Sequence, residues 1–215
     1  MDVLIDNRAE LLETFGVTAR LFGLAALLSL LLGTLLATLR VCPVPVLRIA
    51  GATYVNLVRN TPLLLVFILV TAITPALDFH PSFFLLAVVS LTVYHAAFIC
   101  EAMRSGINAV EPGQAEAARS VGLTFRQNLT LVVLPQAART TIQPVASVLI
   151  ALVRNTAVAS TFGVLDASFT LAELLRDEPG AIYVIFLGVA AGYMAIVAVV
   201  AAIAKLLERR LVVLR

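Results

Sequence analysis

Charge is what this sequence has least of. Only 13% of its 215 residues are Asp, Glu, Lys or Arg, whereas 61% are hydrophobic and the mean hydropathy is +1.03. A soluble domain carries about 25% charged and about 45–50% apolar residues, so an ordinary soluble protein is excluded. The formal net charge is +2, which leaves no basic surface of the kind nucleic-acid binding needs. Acid is missing where a proton-coupled transporter would use it, because Asp78 falls between long apolar stretches and Glu101 at the end of one. The clusters of His and acid that a catalytic metal requires are absent as well. Low-complexity tracts and true repeats are lacking: Val-Arg-Asn-Thr occurs at Val58 to Thr61 and at Val153 to Thr156, but the flanking residues differ.

What remains is apolar and divided. Uncharged stretches run from Leu21 to Leu39, Asn60 to Leu77, Phe79 to Cys100, Thr140 to Val153 and Pro179 to Ala204. About 20 helical residues cross about 30 Å of hydrocarbon. The fourth stretch reaches that length by starting at Pro135, a natural first helical position, with Arg139 near enough to one face for its guanidinium to snorkel outward. Five spans are expected, at about 14–39, 60–77, 79–100, 135–153 and 179–204, with a long polar loop over 101–134. The N-terminus opens with Asp2, Asp6, Glu10 and Glu13, unlike the basic opening of a secretory signal, so the first span is kept. Between the last two spans, Thr156 to Leu165 and Phe169 to Leu175 are apolar enough to lie along the interface or dip into the protein.

Ten basic residues fall on Arg40 to Arg59, Glu101 to Arg126 and Lys205 to Arg215, which odd crossings place on one side; Arg8, Arg20, Arg154 and Arg176 fall on the other. The positive-inside rule puts the N-terminus outside and the C-terminus in the cytoplasm. Cys42 and Cys100 then sit at cytoplasmic ends, where a structural disulfide is not expected; they read as small apolar residues.

The loop offers a short helix, Gln114 to Val121, closed by Gly122, which permits a left-handed turn. A second run, Phe125 to Leu134, places Phe125, Leu129, Val132 and Val133 on one face, as a helix lying along a membrane would. On amphipathicity alone it is equally a solvated connector. The letters add more. Glu116-Ala117-Ala118, Gly122, Val132 and Leu134-Pro135 resemble the EAA loop of bacterial ABC importer permeases, with Val132 where Ile is usual. Arg59-Asn60-Thr61-Pro62, Glu101, Arg104, Gly106 and Gly113-Gln114 resemble the polar amino acid uptake family. Within it, Arg40-Val41-Cys42-Pro43-Val44 and Ser105-Gly106-Ile107-Asn108 are most similar to glutamate permeases of actinobacteria. The family usually has Tyr three residues before Glu101, where this chain has Phe98.

The resemblance implies an all-α integral membrane protein of the type I ABC importer permease fold, with five transmembrane helices in the bacterial cell membrane. It implies a second permease, identical or homologous, a pair of ATP-binding ATPase subunits, an extracytoplasmic solute-binding protein and a polar amino-acid substrate, glutamate or a close relative. ATP and Mg would sit on the ATPase, since this chain lacks the G-x-x-x-x-G-K-[ST] phosphate loop; no cofactor or metal is expected on the chain itself, and it is not an enzyme. The EAA loop would form the coupling helix, in which Glu116 caps or orients the helix, Ala117 and Ala118 let the ATPase groove approach, and Gly122 redirects the chain.

Other residues carry alternatives. Arg154 ends the fourth stretch near the outer side and could meet a substrate carboxylate, snorkel to headgroups, or pair with Asp166 or Glu173; Asn155 and Thr156 would add neutral donors. Pro144 beside Gln143 and Ser147 suggests a kinked polar pathway lining or a packing feature. His95, with Tyr94 and Ser90, reads as a hydrogen-bonded interior histidine more than a gate. Arg59 reads as an anchor, Thr61 as a cap for the helix at Pro62, and Glu101 with Arg104 as an i, i+3 pair. A proton-coupled secondary transporter is the alternative function, followed by a membrane enzyme or a scaffold.

Overall fold

The computed structural model describes residues 2–212; Arg215, one of the basic residues assigned to the cytoplasmic side, lies outside the described residues. Ten α-helices follow one another: α1 (Asp2–Asp6), α2 (Arg8–Val41), α3 (Pro45–Arg59), α4 (Leu63–Ala76), α5 (Phe83–Asn108), α6 (Pro112–Ser120), α7 (Phe125–Gln127), α8 (Leu134–Asn155), α9 (Ala167–Asp177) and α10 (Ile182–Val212). A π-helical turn, Asn128–Val133, joins α7 to α8, and 3₁₀ turns occupy Thr156–Phe162 and Pro179–Ala181. Among the described residues four segments are long and apolar enough to cross a membrane, and α3 with α4, bent by 109° at the break between them, reach that length and hydropathy only as a pair. The chain is an all-α multi-pass membrane protein.

Helix α5 is the central post, in contact with α2, α3, α4 and α8. Its approach to α2 follows from a row of small buried residues, Ala25, Ser29, Gly33 and Ala37, at four-residue spacing on α2. A Cβ on Gly33 would stand 2.5 Å from the Ile99 side chain, so any side chain there forces the two helices apart. The post divides two buried clusters. One joins Leu36, Ala37 and Val55 to Ala96, Ala97 and Cys100 near the loop end of α5; the other joins Leu21, Ala25 and Phe67 to Val88, Leu91 and Leu152 toward its start.

Over the expected second span, 60–77, the structure has α4, and α3 precedes it at a bend of 109°. Pro62 has no N–H to continue α3, and the side chains before it close the helix: Asn60 Nδ2 donates to Asn56 O at 2.7 Å and Thr61 Oγ1 to Leu57 O at 2.8 Å. Thr61 therefore caps the end of α3 and not the start of α4. At 15 and 14 residues, each half is about 21–23 Å long, so neither crosses alone.

The fourth span is also longer than the expected 135–153, because the apolar helical run is continuous from Phe125 to Phe162. Counting to the first charge stopped it at Arg154, yet Thr156–Phe162 carries on as a 3₁₀ turn. Pro135 lies inside the run and does not begin it. A proline lacks an N–H and its ring crowds the carbonyl four residues back; the wider π turn before it gives that carbonyl room. Likewise α8 passes through Pro144 as one helix.

Candidate functional site

Helix α6 lies in the loop between α5 and α8 and packs on the π turn Asn128–Val133. Pro112 sits at its first position, and Glu111 is the N-cap residue without a side-chain cap bond. Glu116, expected to cap or orient the helix, is in the middle of α6 and exposed. After Ser120 the chain reverses at Gly122, whose φ of +84° favours glycine, with Gly122 N donating to Arg119 O and Leu123 N to Ala118 O. Nothing lies within 4 Å of a Cβ built there, so Gly122 is required for its backbone angle and not for space. Ala118 is 6% exposed and turned into its own chain, a correction to its expected role of admitting a partner. Ala117 is exposed, as are Val121 at 78% and Phe125 at 83%. The loop is fastened beneath: Thr124 and Gln127 form a capping box, and buried Asn128 donates from Nδ2 to Ala115 O at 2.9 Å. Asn128 thus links α6 to the π turn that leads into α8.

Helix α8 runs antiparallel to α5, pinned at two heights. Thr140 Oγ1 donates to Gly106 O at 2.8 Å, and Asn155 Nδ2 lies 3.1 Å from His95 Nε2. His95 is 2% exposed, with Nδ1 2.9 Å from Leu91 O. A carbonyl only accepts and an amide NH₂ only donates, so the ring carries its proton on Nδ1 and accepts at Nε2. This bond joins two of the residues singled out in the sequence, and it fixes depth. His95 is midway along α5, so Asn155 and its neighbour Arg154 stand level with the middle of that helix. Arg154 is exposed and makes no salt bridge among the described residues; the expected alternative of pairing with Asp166 or Glu173 is corrected.

Thr140, Gln143, Ser147 and Arg154 are all exposed along one side of α8. Their spacing of three, four and seven residues keeps them in one row at about 100° per residue. On α5, Tyr94, Phe98, Glu101 and Ser105 form a second row, and the two pinning contacts turn both rows to the same open side. Gln143 Nε2 reaches Glu208 Oε2 on α10 at 2.6 Å, and Ser147 Oγ donates to Gln143 O. Thr156, expected beside Arg154, is instead fully buried, donating to Val153 O at 2.7 Å. Polar groups exposed at that depth would be costly against lipid.

At the loop end of the α5 row, Glu101 gathers three arginines. Arg104 pairs with it as the i, i+3 spacing suggested; Arg40 from α2 is 2.5 Å away and Arg59 from the α3–α4 bend is 3.4 Å away. The Arg59 guanidinium also stands 5.6 Å from the centre of the Phe98 ring. Sequence spacing could find only the local pair, because the other two arginines arrive from distant helices.

A second polar cluster had one sequence signal, an Asp before an apolar run. Asp166 is fully buried and caps α9, its Oδ1 accepting from Ser168 N and Phe169 N at 3.1 Å. Ser168 Oγ is 2.7 Å from the Tyr193 hydroxyl, and Thr18 Oγ1 accepts from Ala167 N. Burial pushes the Asp166 carboxyl up to about 6, against the opposing pull of those N–H groups and Tyr193. The cluster closes α9 onto α2 and α10 away from the open face.

Residues 29–213 match the family described as binding-protein-dependent transport system inner membrane component. A glutamate transport system permease protein, GluC, of Corynebacterium efficiens is 40% identical over 201 residues, which is 88% of each chain. "Probable glutamine ABC transporter permease protein GlnM" of Bacillus subtilis is 31% identical over 211 residues, covering 98% of this chain and 97% of that one. Among solved structures, one described as an amino acid ABC transporter with histidines superposes with a TM-score of 0.87 at 24% identity, over 97% of both chains. Fold, loop and sequence agree, and the chain belongs to the binding-protein-dependent transport system inner membrane component family, as a membrane permease subunit of an ABC importer.

Proposed function

We propose that this subunit carries an amino acid, glutamate first among candidates, from an extracytoplasmic binding protein to the cytoplasm by alternating access. The observation that carries the reading is the open polar face of α8, with Arg154 exposed on it, level with the middle of α5 and without a salt bridge among the described residues. A guanidinium there binds a carboxylate in a two-pronged contact that water no longer weakens. One chain supplies one wall, so a second permease, identical or homologous, would close the pathway. Glutamate is favoured by the 40% identical relative, and the 31% identical relative keeps glutamine in view; both carry the α-carboxylate that Arg154 would hold.

Energy would come from two ATPase subunits that hold ATP and Mg. Ala117, Val121 and Phe125 present small and large apolar surface beside α6, suited to a groove on that partner. Movement of α6 would pass through Asn128 and the π turn to α8 and hence to Arg154. With ten of the basic residues on the loop side, that side would be cytoplasmic and the N-terminus outside.

The test is reconstitution of the complete importer in proteoliposomes, with glutamate uptake and ATP hydrolysis measured together. Gly122→Leu forces a side chain into the left-handed region and is expected to leave the subunit inserted, with hydrolysis no longer coupled to uptake. Arg154→Gln is expected to cut uptake about 10- to 100-fold, the size of a hydrogen bond to a charged group, with Arg154→Lys between. Unchanged uptake in Arg154→Gln removes the substrate role, and uptake by the isolated subunit without ATP removes the importer reading altogether.

A further inference from the structure

We infer that Arg59 is a second carboxylate-binding arm on the open face, toward the coupling-loop end from Arg154, and that the substrate carboxylate passes from one arginine to the other. The inference rests on the reading of Arg154 given above.

Three observations place it there. First, the two arginines bracket a short stretch of one wall: Arg154 adjoins Asn155, which bonds His95, while Arg59 lies over the ring of Phe98. His95 and Phe98 are three residues apart on α5, about 4.5 Å along the axis, less than the reach of an arginine side chain. Secondly, Arg59 is the loosest member of its cluster. Its contact with Glu101 is 3.4 Å, against 2.5 Å for Arg40 and the tight pair with Arg104, and its side chain is 40% exposed. Thirdly, Glu101 does not depend on it. Arg40 binds Oε2 and Arg104 binds Oε1, so both carboxylate oxygens stay paired when Arg59 leaves. Releasing Arg59 therefore uncovers no buried charge, the step that makes breaking most ion pairs expensive.

Three guanidiniums around one carboxylate leave an excess of +2, and Arg59 carries the part of it that faces the open side. Phe98 gives the guanidinium a flat apolar platform, which holds the arm in place without using its hydrogen-bond donors. An incoming carboxylate exchanges with Glu101 for Arg59, one anion for another, so each exchange is nearly balanced. That balance suits a site which must let its ligand go.

The experiment uses the reconstituted importer with its ATPase and binding protein, with glutamate and glutamine supplied separately. Arg59→Gln is expected to lower the maximal uptake rate of both substrates about tenfold while leaving the half-saturating concentration of loaded binding protein within about twofold, since a partner outside sets that step. ATP hydrolysis is expected to persist, Arg59→Lys to recover most of the rate, and Phe98→Leu to fall between. Wild-type uptake by Arg59→Gln overturns the inference. So does loss of uptake in step with loss of hydrolysis and of folded protein, which marks a purely structural arginine. If Arg154→Gln transports normally while Arg59→Gln does not, the earlier reading of Arg154 fails and the assignment of Arg59 stands as a single arm.

Discussion

Val-Arg-Asn-Thr ends two helices in this protein, and the two endings differ. At Val58 to Thr61 the helix stops and the chain turns by 109°. At Val153 to Thr156 it tightens into a 3₁₀ turn and goes on to Phe162. In both, the threonine hydroxyl donates back to a carbonyl of its own helix, Leu57 in the first and Val153 in the second. In both, the arginine stays at the open face. The fifth letter decides the path: Pro62 has no N–H to give, whereas Ala157 does. The surroundings decide the partner of the third letter, since Asn60 caps its own helix while Asn155 reaches across to His95. A four-residue identity thus produces a common local chemistry, the side-chain closing of a helix end, on which surroundings impose two different outcomes.

The sharpest way to break the comparison is to give the second corner the first one's fifth letter. Ala157→Pro removes an N–H and sets a ring against the Val153 carbonyl, which already accepts from Thr156. A cost of about 3 kcal/mol or more is expected, seen as a large fall in the melting temperature of the detergent-solubilised subunit and the loss of uptake. The reciprocal Pro62→Ala is expected to cost under about 1 kcal/mol, because Asn60 and Thr61 still close α3 and the first N–H groups of α4 are free in any case. Equal losses in the two variants would show that proline is not what separates the corners.

These corners also mark where the sequence was readable and where it was not. Apolar length found the membrane and the four long apolar helices, because the cost of a charge in hydrocarbon is a local property of each stretch. The same rule missed helical structure beside two stretches. It passed over α3 before the second, since Arg48 and Arg59 interrupt a helix that packs Val55 inside. It ended the fourth at Arg154, since an arginine partway along a helical run that continues to Phe162 looks the same in sequence as one at its end. The short helix of the loop was legible, and it begins two residues before the expected start. Ala118 was misread because only the fold shows that its methyl group points inward. The Glu101 cluster was visible only as its local pair, and the Asp166 cluster only as a cap. Partners drawn from helices far apart in the chain leave no spacing to read.

A middle-sized effect tests the third letter. Asn155→Leu leaves His95 Nε2 buried without a donor, at about 1–3 kcal/mol, and uptake is expected to fall with it because Arg154 loses its neighbour's anchor. Asn60→Leu removes a bond from an exposed side chain and is expected to cost no more than about 0.5 kcal/mol. Thermal unfolding of both variants gives the ratio directly, and a larger loss at Asn60 would mean that the bend, and not the bond to α5, is the more delicate of the two.

The smallest effect isolates burial from local bonding. Thr61→Val and Thr156→Val each delete one hydroxyl donating to the helix that contains it, at 2.8 and 2.7 Å, with almost no change in shape. Thr156 is fully buried, so the Val153 carbonyl loses that donor with no water to replace it, and about 1 kcal/mol is expected. Around Thr61 the bond is exposed, water substitutes for the hydroxyl, and the loss is expected to stay within about 0.5 kcal/mol. Chemical denaturation of the two variants in matched detergent, with equal slopes, measures the difference. If the two losses are equal, helix ends in this protein are held by the local bond alone, and the different courses of the two corners rest entirely on the proline.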